Sequence, residues 1–177
     1  TPFSFDITPF LLKNSPQKLV VRIWDPSDRG YQPRGKQVER PQGIWYTPVT
    51  GIWQTVWLEP VGDTHISGLK TVPDIDGGTL SVKAAVEGAL PGDLVEIKVL
   101  EQGREITTAR GAAGVDVLVG LADARLWSPE DPFLYDMEVT ILRGGDVIDR
   151  VSSYFGMRKI STRRDAHGIV RLQLNNR

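Results

Sequence analysis

The chain has 177 residues, 40% of them apolar and 24% charged, and its net charge is −1. That length suffices for one large or two small domains with a real core. The scattered Lys and Arg leave no electrostatic footprint for nucleic acid or an anionic membrane. With no cysteine, disulfides, thiolate chemistry and thiolate metal sites are excluded.

No run of eighteen apolar residues and no signal peptide are present. The chain opens on Thr1-Pro2-Phe3 rather than Met, which predicts a processed chain or a piece of a longer one. The first sixty residues hold four of the five tryptophans, Trp24, Trp45, Trp53 and Trp57. Strands are expected at Phe3 to Ile7, Leu19 to Trp24 and Ile52 to Leu58, joined by a long polar connection from Asp25 to Thr50. A connection of that length is often a functional loop. Three strands are too few to bury both sides of a sandwich, so this part reads as incomplete. In the stretch TGIWQTVWLEP, Trp53, Thr55 and Trp57 share one strand face, and Ile52, Gln54, Val56 and Leu58 the other. Two mainly apolar faces predict a covered central strand, with Trp53 and Trp57 packed inward rather than offered to a sugar.

From residue 62 the apolar residues recur with period two. Leu80, Val82, Ala84 and Val86 form one row, then Val95, Ile97 and Val99, then Val115, Val117, Val119 and Leu121, then Tyr135, Met137, Val139 and Ile141. Each row demands a strand with one face on a core and one toward water. Turn signals separate them: Asp76-Gly77-Gly78, Gly88 to Asp93, Gln102-Gly103, Gly111 to Gly114 and Gly144-Gly145-Asp146, the last a natural hairpin. No convincing amphipathic helix appears. Residues 62–160 therefore predict about seven short strands in an immunoglobulin-like β-sandwich, and the chain is all-β.

Chemistry is sparse. His65 and His167 stand alone, without a third partner at metal-ligand spacing, and read as loop histidines. No Gly-x-Ser-x-Gly elbow or phosphate loop occurs, and no cofactor is implied. Asp74-x-Asp76-Gly77 begins like a calcium loop but lacks the later ligands, so a turn is the better reading. Glu96 and Glu138 fall on the water side of predicted strands, and Glu87, Glu101, Glu105 and Glu130 at turns or strand ends. None has the burial that raises the pKa of a general acid.

Several segments together resemble glycoside hydrolase family 2, its β-galactosidase-like members most closely. FSFDITPFLLKNSPQKLVVRIWDPSD followed by GIWYTPVTGIWQTVWLEPV is similar to the last strands of that family's sugar-binding jelly roll. LWSPEDPFLYDMEVTILRGGDVIDRVSSYFGMRKI is similar to the end of its immunoglobulin-like domain, with Trp-x-Pro, Pro-x-Leu-Tyr and Phe-Gly-x-Arg in order. The resemblance implies three parts: residues 1–61 from a truncated jelly roll, 62–160 as the immunoglobulin-like sandwich, and 161–177 leading into a missing (β/α)₈ barrel. It implies that the parent is a retaining hydrolase of terminal β-glycosidic bonds whose paired carboxylates lie on that barrel. These domains would brace the barrel and help shape the sugar subsite, and the chain alone would be inactive.

The resemblance places Asp25 of RIWD where a family aspartate reaches the sugar subsite. A turn begun by Asp25, Pro26 and Ser27 is an equal reading. For Arg34 and Lys36 only a basic loop is read. Among the motif residues, Trp127 is expected to plug the end of the sandwich and Tyr135 to begin an inward row. Gly156 would free the backbone for a bend, and Arg158 would pair across an inter-domain seam. A free-standing carbohydrate-binding module and an adhesion-type sandwich remain open alternatives. The partners implied are carbohydrate and the barrel in cis, with no nucleic acid or membrane, and self-association through the truncated first portion. A periplasmic or secreted location fits a polysaccharide-degrading parent.

Overall fold

The computed structural model describes residues 3–177. The chain divides into two compact units, Thr1–Leu58 and Glu59–Arg177.

The second unit contains nine strands: β1 (His65–Asp74), β2 (Thr79–Glu87), β3 (Leu94–Glu101), β4 (Arg104–Ala112), β5 (Val117–Gly120), β6 (Tyr135–Arg143), β7 (Asp146–Phe155), β8 (Ile160–Arg164) and β9 (Val170–Leu174). One sheet runs β1-β2-β5, a second β4-β3-β6-β7, and β8-β9 form a separate hairpin; every strand pair is antiparallel. The seven strands of the first two sheets are the immunoglobulin-like sandwich expected from the alternation.

Its core is built from the inward rows. Leu80, Val82 and Ala84 of β2 meet Val117 and Val119 of β5 on one sheet. On the other, Val95, Ile97 and Val99 of β3 lie opposite Ile141, Val139 and Met137 of β6. These side chains are largely β-branched, which suits a pleated surface, and each buried one contributes about 1.5–3 kcal/mol. Val115, expected to extend the β5 row, is instead exposed in the turn before it. Tyr135 is buried, stacked on Phe155 of the neighbouring strand at 5.4 Å and met edge-on by Phe133 at 4.8 Å.

The turns follow their chemistry. Gln102 and Gly103 (φ 51° and 78°) join β3 to β4, and Gly144 and Gly145 (φ 61° and 100°) join β6 to β7. Both are two-residue loops with positive φ throughout, whose twist matches that of the strands. In the Asp74–Gly77 turn, Asp74 Oδ1 accepts the N–H groups of Asp76 at 3.1 Å and Gly77 at 3.0 Å, as an aspartate that opens a turn does. The edge strands of the two sheets are tied where the Ile66 N–H donates to Asp149 Oδ2 at 2.8 Å.

The first unit departs from expectation. Phe3 to Ile7, Leu19 to Trp24 and Ile52 to Leu58 form no strands, and among the described residues its one regular element is a 3₁₀ turn at Thr8–Phe10. A strand exists only through a neighbour's hydrogen-bond ladder, and none of these segments meets a partner. The same lack corrects the reading of the tryptophans: Trp53 is 89% and Trp57 69% exposed rather than packed inward. A strongly apolar segment cannot bury itself without a second layer to lie against.

Candidate functional site

Within the first unit, local order concentrates in the polar connection. Asp25 Oδ1 accepts the Ser27 N–H at 2.8 Å, and the Pro26 carbonyl accepts the Arg29 N–H at 3.0 Å, so Asp25 opens a tight turn. Ser27 takes φ 55° at its centre. The chain then closes on itself. The Tyr46 carbonyl accepts the Val38 N–H at 3.1 Å, the Lys36 carbonyl accepts the Tyr46 N–H at 2.8 Å, and Val38 is only 8% exposed.

Asp28 organises the loop's charges. Its Oδ1 accepts the Glu39 N–H at 3.0 Å, and Arg34 approaches its other oxygen at 3.4 Å. That backbone hydrogen bond above all, with the nearby guanidinium groups, holds the Asp28 carboxyl below the usual range. Arg34 also lies over the Trp45 ring at 5.5 Å, so it has a definite place that its sequence context did not disclose. An open cleft of ≈ 760 Å³ results, lined by Asp28, Arg34, Glu39, Arg40, Gln42 and Trp45 among others; Asp25 does not line it. A smaller hollow of ≈ 420 Å³ lies along Trp53, Gln54, Thr55 and Trp57.

In the second unit the motif residues converge on the end of the sandwich. Trp127 is half-buried, and its N–H donates to the Met157 carbonyl at 2.9 Å. A Cβ built on Gly156 would lie 3.2 Å from Trp127 Cβ and 3.3 Å from Leu134 Cδ2. The glycine is there for close approach rather than for a bend, since its φ is not in the left-handed region. On the other side the Arg158 guanidinium lies over the Trp127 ring at 4.9 Å. The residue read as an inter-domain pairing group thus stacks within its own unit. Tyr135 adds a polar anchor, its hydroxyl accepting the Arg125 N–H at 2.8 Å. Arg125 forms a bidentate pair with Asp131 at 2.7 and 2.8 Å, and Asp131 is held below its ordinary pKa chiefly by those hydrogen bonds.

Two further networks were not read from the sequence. Asp93, 2% exposed, receives Arg143 through two 2.8 Å hydrogen bonds and the Leu90 N–H at 2.8 Å. Arg143 first, then the Leu90 amide, holds its carboxyl down at about 2 against the opposing effect of burial. Glu96, expected on the water side, is buried instead, because Arg110 of the neighbouring strand covers it, donating from Nε at 2.6 Å. The only hint of these pairs was a charged residue at a turn or on a strand, with partners far along the chain.

Among the described residues every carboxylate with a displaced pKa is displaced downward: Asp6 first by the Thr8 side chain, and the others by hydrogen bonds from cations or amides. A general acid requires the opposite. His65 begins β1 with its ring Nδ1 2.8 Å from the Gly62 carbonyl, and His167 lies in an exposed turn. Among the described residues no three His, Asp or Glu side chains converge to hold a metal.

The family model for glycosyl hydrolases family 2 matches residues 64–158, the span of the sandwich. The chain belongs to glycosyl hydrolase family 2. This family 2 chain is 26% identical over 176 residues to a beta-galactosidase of Bacteroides ovatus, covering 90% of this chain and 19% of the relative. It is 23% identical over 185 residues to a beta-galactosidase of Thermoanaerobacter pseudethanolicus, covering 93% of this chain and 23% of that one. In structure it is similar to a beta-glycosidase from Bacteroides vulgatus, with a TM-score of 0.61 at 23% identity over 76% of this chain and 18% of the other. The family 2 chain thus spans about a fifth of the length of these relatives.

Proposed function

We propose that the chain is a non-catalytic accessory part of a β-galactosidase-like retaining glycoside hydrolase. In this reading residues 62–160 are its immunoglobulin-like brace and residues 1–61 the closing part of a sugar-binding jelly roll. Residues 161–177 lead into a (β/α)₈ barrel that carries the carboxylate pair. The observation that carries this is the family match on the sandwich, in a chain whose displaced carboxylates are all poised against donating a proton. Asp25 and the cleft beside Trp45 would help wall the sugar subsite. The exposure of Trp53 and Trp57 then reflects a covering layer supplied by the rest of the jelly roll. The test is release of nitrophenol from 4-nitrophenyl β-D-galactopyranoside and the matching β-D-glucuronide. The full-length parent is expected to turn over one of them and the 177-residue chain neither. Turnover by the short chain would overturn the proposal.

A second reading rests on the two exposed indoles beside their hollow, which suit stacking on a pyranose ring. It makes the chain a carbohydrate-binding module. Indole NMR shifts on titration with galactosides would support it, and an unchanged spectrum at millimolar sugar would dismiss it.

A further inference from the structure

The last four residues form a hairpin turn of their own. Asn175 and Asn176 take φ 53° and 68°, the left-handed pair of a two-residue type I′ loop, for which Asn is well suited. The Leu174 N–H donates to the Arg177 carbonyl at 3.0 Å, and the Arg177 N–H donates back to the Leu174 carbonyl at 3.0 Å. That reciprocal pair starts a second antiparallel ladder on the edge of β9 that faces away from β8. Backbone groups alternate between the two edges of a strand, so the N–H and carbonyl of Leu172 point to the same outer edge as those of Leu174.

The turn is held firmly to the sandwich. The Lys159 N–H donates to Asn175 Oδ1 at 3.0 Å, and Asn175 Nδ2 donates to the Trp127 carbonyl at 3.0 Å. Asn176 Nδ2 donates to Asp76 Oδ1 at 2.7 Å, and Lys159 pairs with the other Asp76 oxygen. One face of the hairpin carries Ile160, Leu172 and Val170, all exposed, with Leu172 at 80%. A two-stranded hairpin with an uncovered apolar face is marginal by itself.

We propose that β9 is the central strand of a three-stranded sheet, completed in the parent protein by the segment that follows Arg177. The reciprocal Leu174–Arg177 bonds direct that segment back along β9, and its first residues take the free edge at Leu172. This rests on the accessory-domain reading, in which more chain follows this hairpin, and agrees with relatives about five times longer than this chain.

The test is amide hydrogen exchange at Leu172 in the 177-residue chain and in the full-length parent. The Leu172 amide is expected to exchange freely in the short chain and about tenfold or more slowly in the parent. An Asn176→Gly variant of the parent keeps the slow exchange, because it keeps the left-handed turn although it loses the Asp76 bond. An Asn176→Val variant, whose branched side chain resists positive φ, loses it. Equal exchange at Leu172 in short and full-length chains overturns the proposal. So does slow, concentration-dependent exchange in the short chain, which would assign the edge to a second copy. Nitrophenyl glycoside turnover is scored separately, so a parent that lacks hydrolase activity but protects Leu172 refutes only the functional reading. An active parent with an unprotected Leu172 refutes only the third strand.

Discussion

Gly156→Ala probes whether Trp127 is gripped by its neighbours. The added methyl group would sit 3.2 Å from Trp127 Cβ, 3.3 Å from Leu134 Cδ2 and 3.4 Å from Trp127 Cγ. Carbon atoms are at their best near ~3.5–4.0 Å, so three contacts are short by a few tenths of an ångström at once. Trp127 has little room to retreat, because its amide is bonded to Met157 and Arg158 lies over its ring. Overpacking of this kind costs about 1–3 kcal/mol. Replacing glycine at an ordinary φ returns about 0.4–1 kcal/mol by restricting the unfolded chain. The net expectation is a loss of about 1–2 kcal/mol, or about 4–8 °C in the sandwich's calorimetric transition. Gly120→Ala in β5 is the internal control, since nothing lies within 4 Å of its added methyl; it should be neutral or slightly stabilising. Contact and backbone causes are separated by a double-mutant cycle with Leu134→Ala, which should recover about 0.5 kcal/mol or more. A Gly156→Ala protein as stable as the parent sequence would refute the grip. Equal loss with and without Leu134→Ala would move the cause away from the Leu134 contact.

Ile97→Ala, at the centre of the core, should cost about 2–5 kcal/mol by chemical denaturation, whereas Leu118→Ala on the outer face of β5 should stay within about 0.5 kcal/mol. Asp93 has a folded pKa of about 2, below its ordinary 3.8, so its contribution is complete above the higher value and disappears as pH falls through the lower. The sandwich should therefore lose stability between about pH 4 and pH 2, and Asp93→Asn should flatten that slope in calorimetric scans while lowering stability at neutral pH. The exposed Trp24, Trp53 and Trp57 should make the chain associate with concentration. Light scattering should show this, and removal of residues 1–58 should abolish it; a monomer at every concentration would contradict the expectation.

The sandwich was legible because each inward row obeys the two-residue period set by the pleat. Leu80-Val82-Ala84 and Tyr135-Met137-Val139-Ile141 can be solvated on only one side, and the glycine pairs between strands permit only tight turns. The first unit failed for the converse reason. Ile52 to Leu58 has strand composition, but pairing belongs to two segments and periodicity describes only one. Trp53 and Trp57 were read inward from their own hydrophobicity, while burial requires a surface to be buried against.

The candidate-site residues divide along the same line. Asp25 could be placed at a turn because the Asp-Pro-Ser sequence is local, and its side chain bonds two residues ahead. Gly156 was misjudged: close approach by Trp127 leaves no mark in the sequence around a glycine, whereas a turn does. Arg143 and Asp93 lie fifty residues apart, and no property of either announces the other. Charge pairs of this kind are set by strand register, and register is the last quantity a sequence discloses. The chemistry of the chain accordingly had to be found in three dimensions, where its displaced carboxylates prove to be acceptors held by cations, amides and, at Asp6, a threonine side chain. Such groups have no proton to give a leaving group at neutral pH, which fits the bracing role proposed for the sandwich.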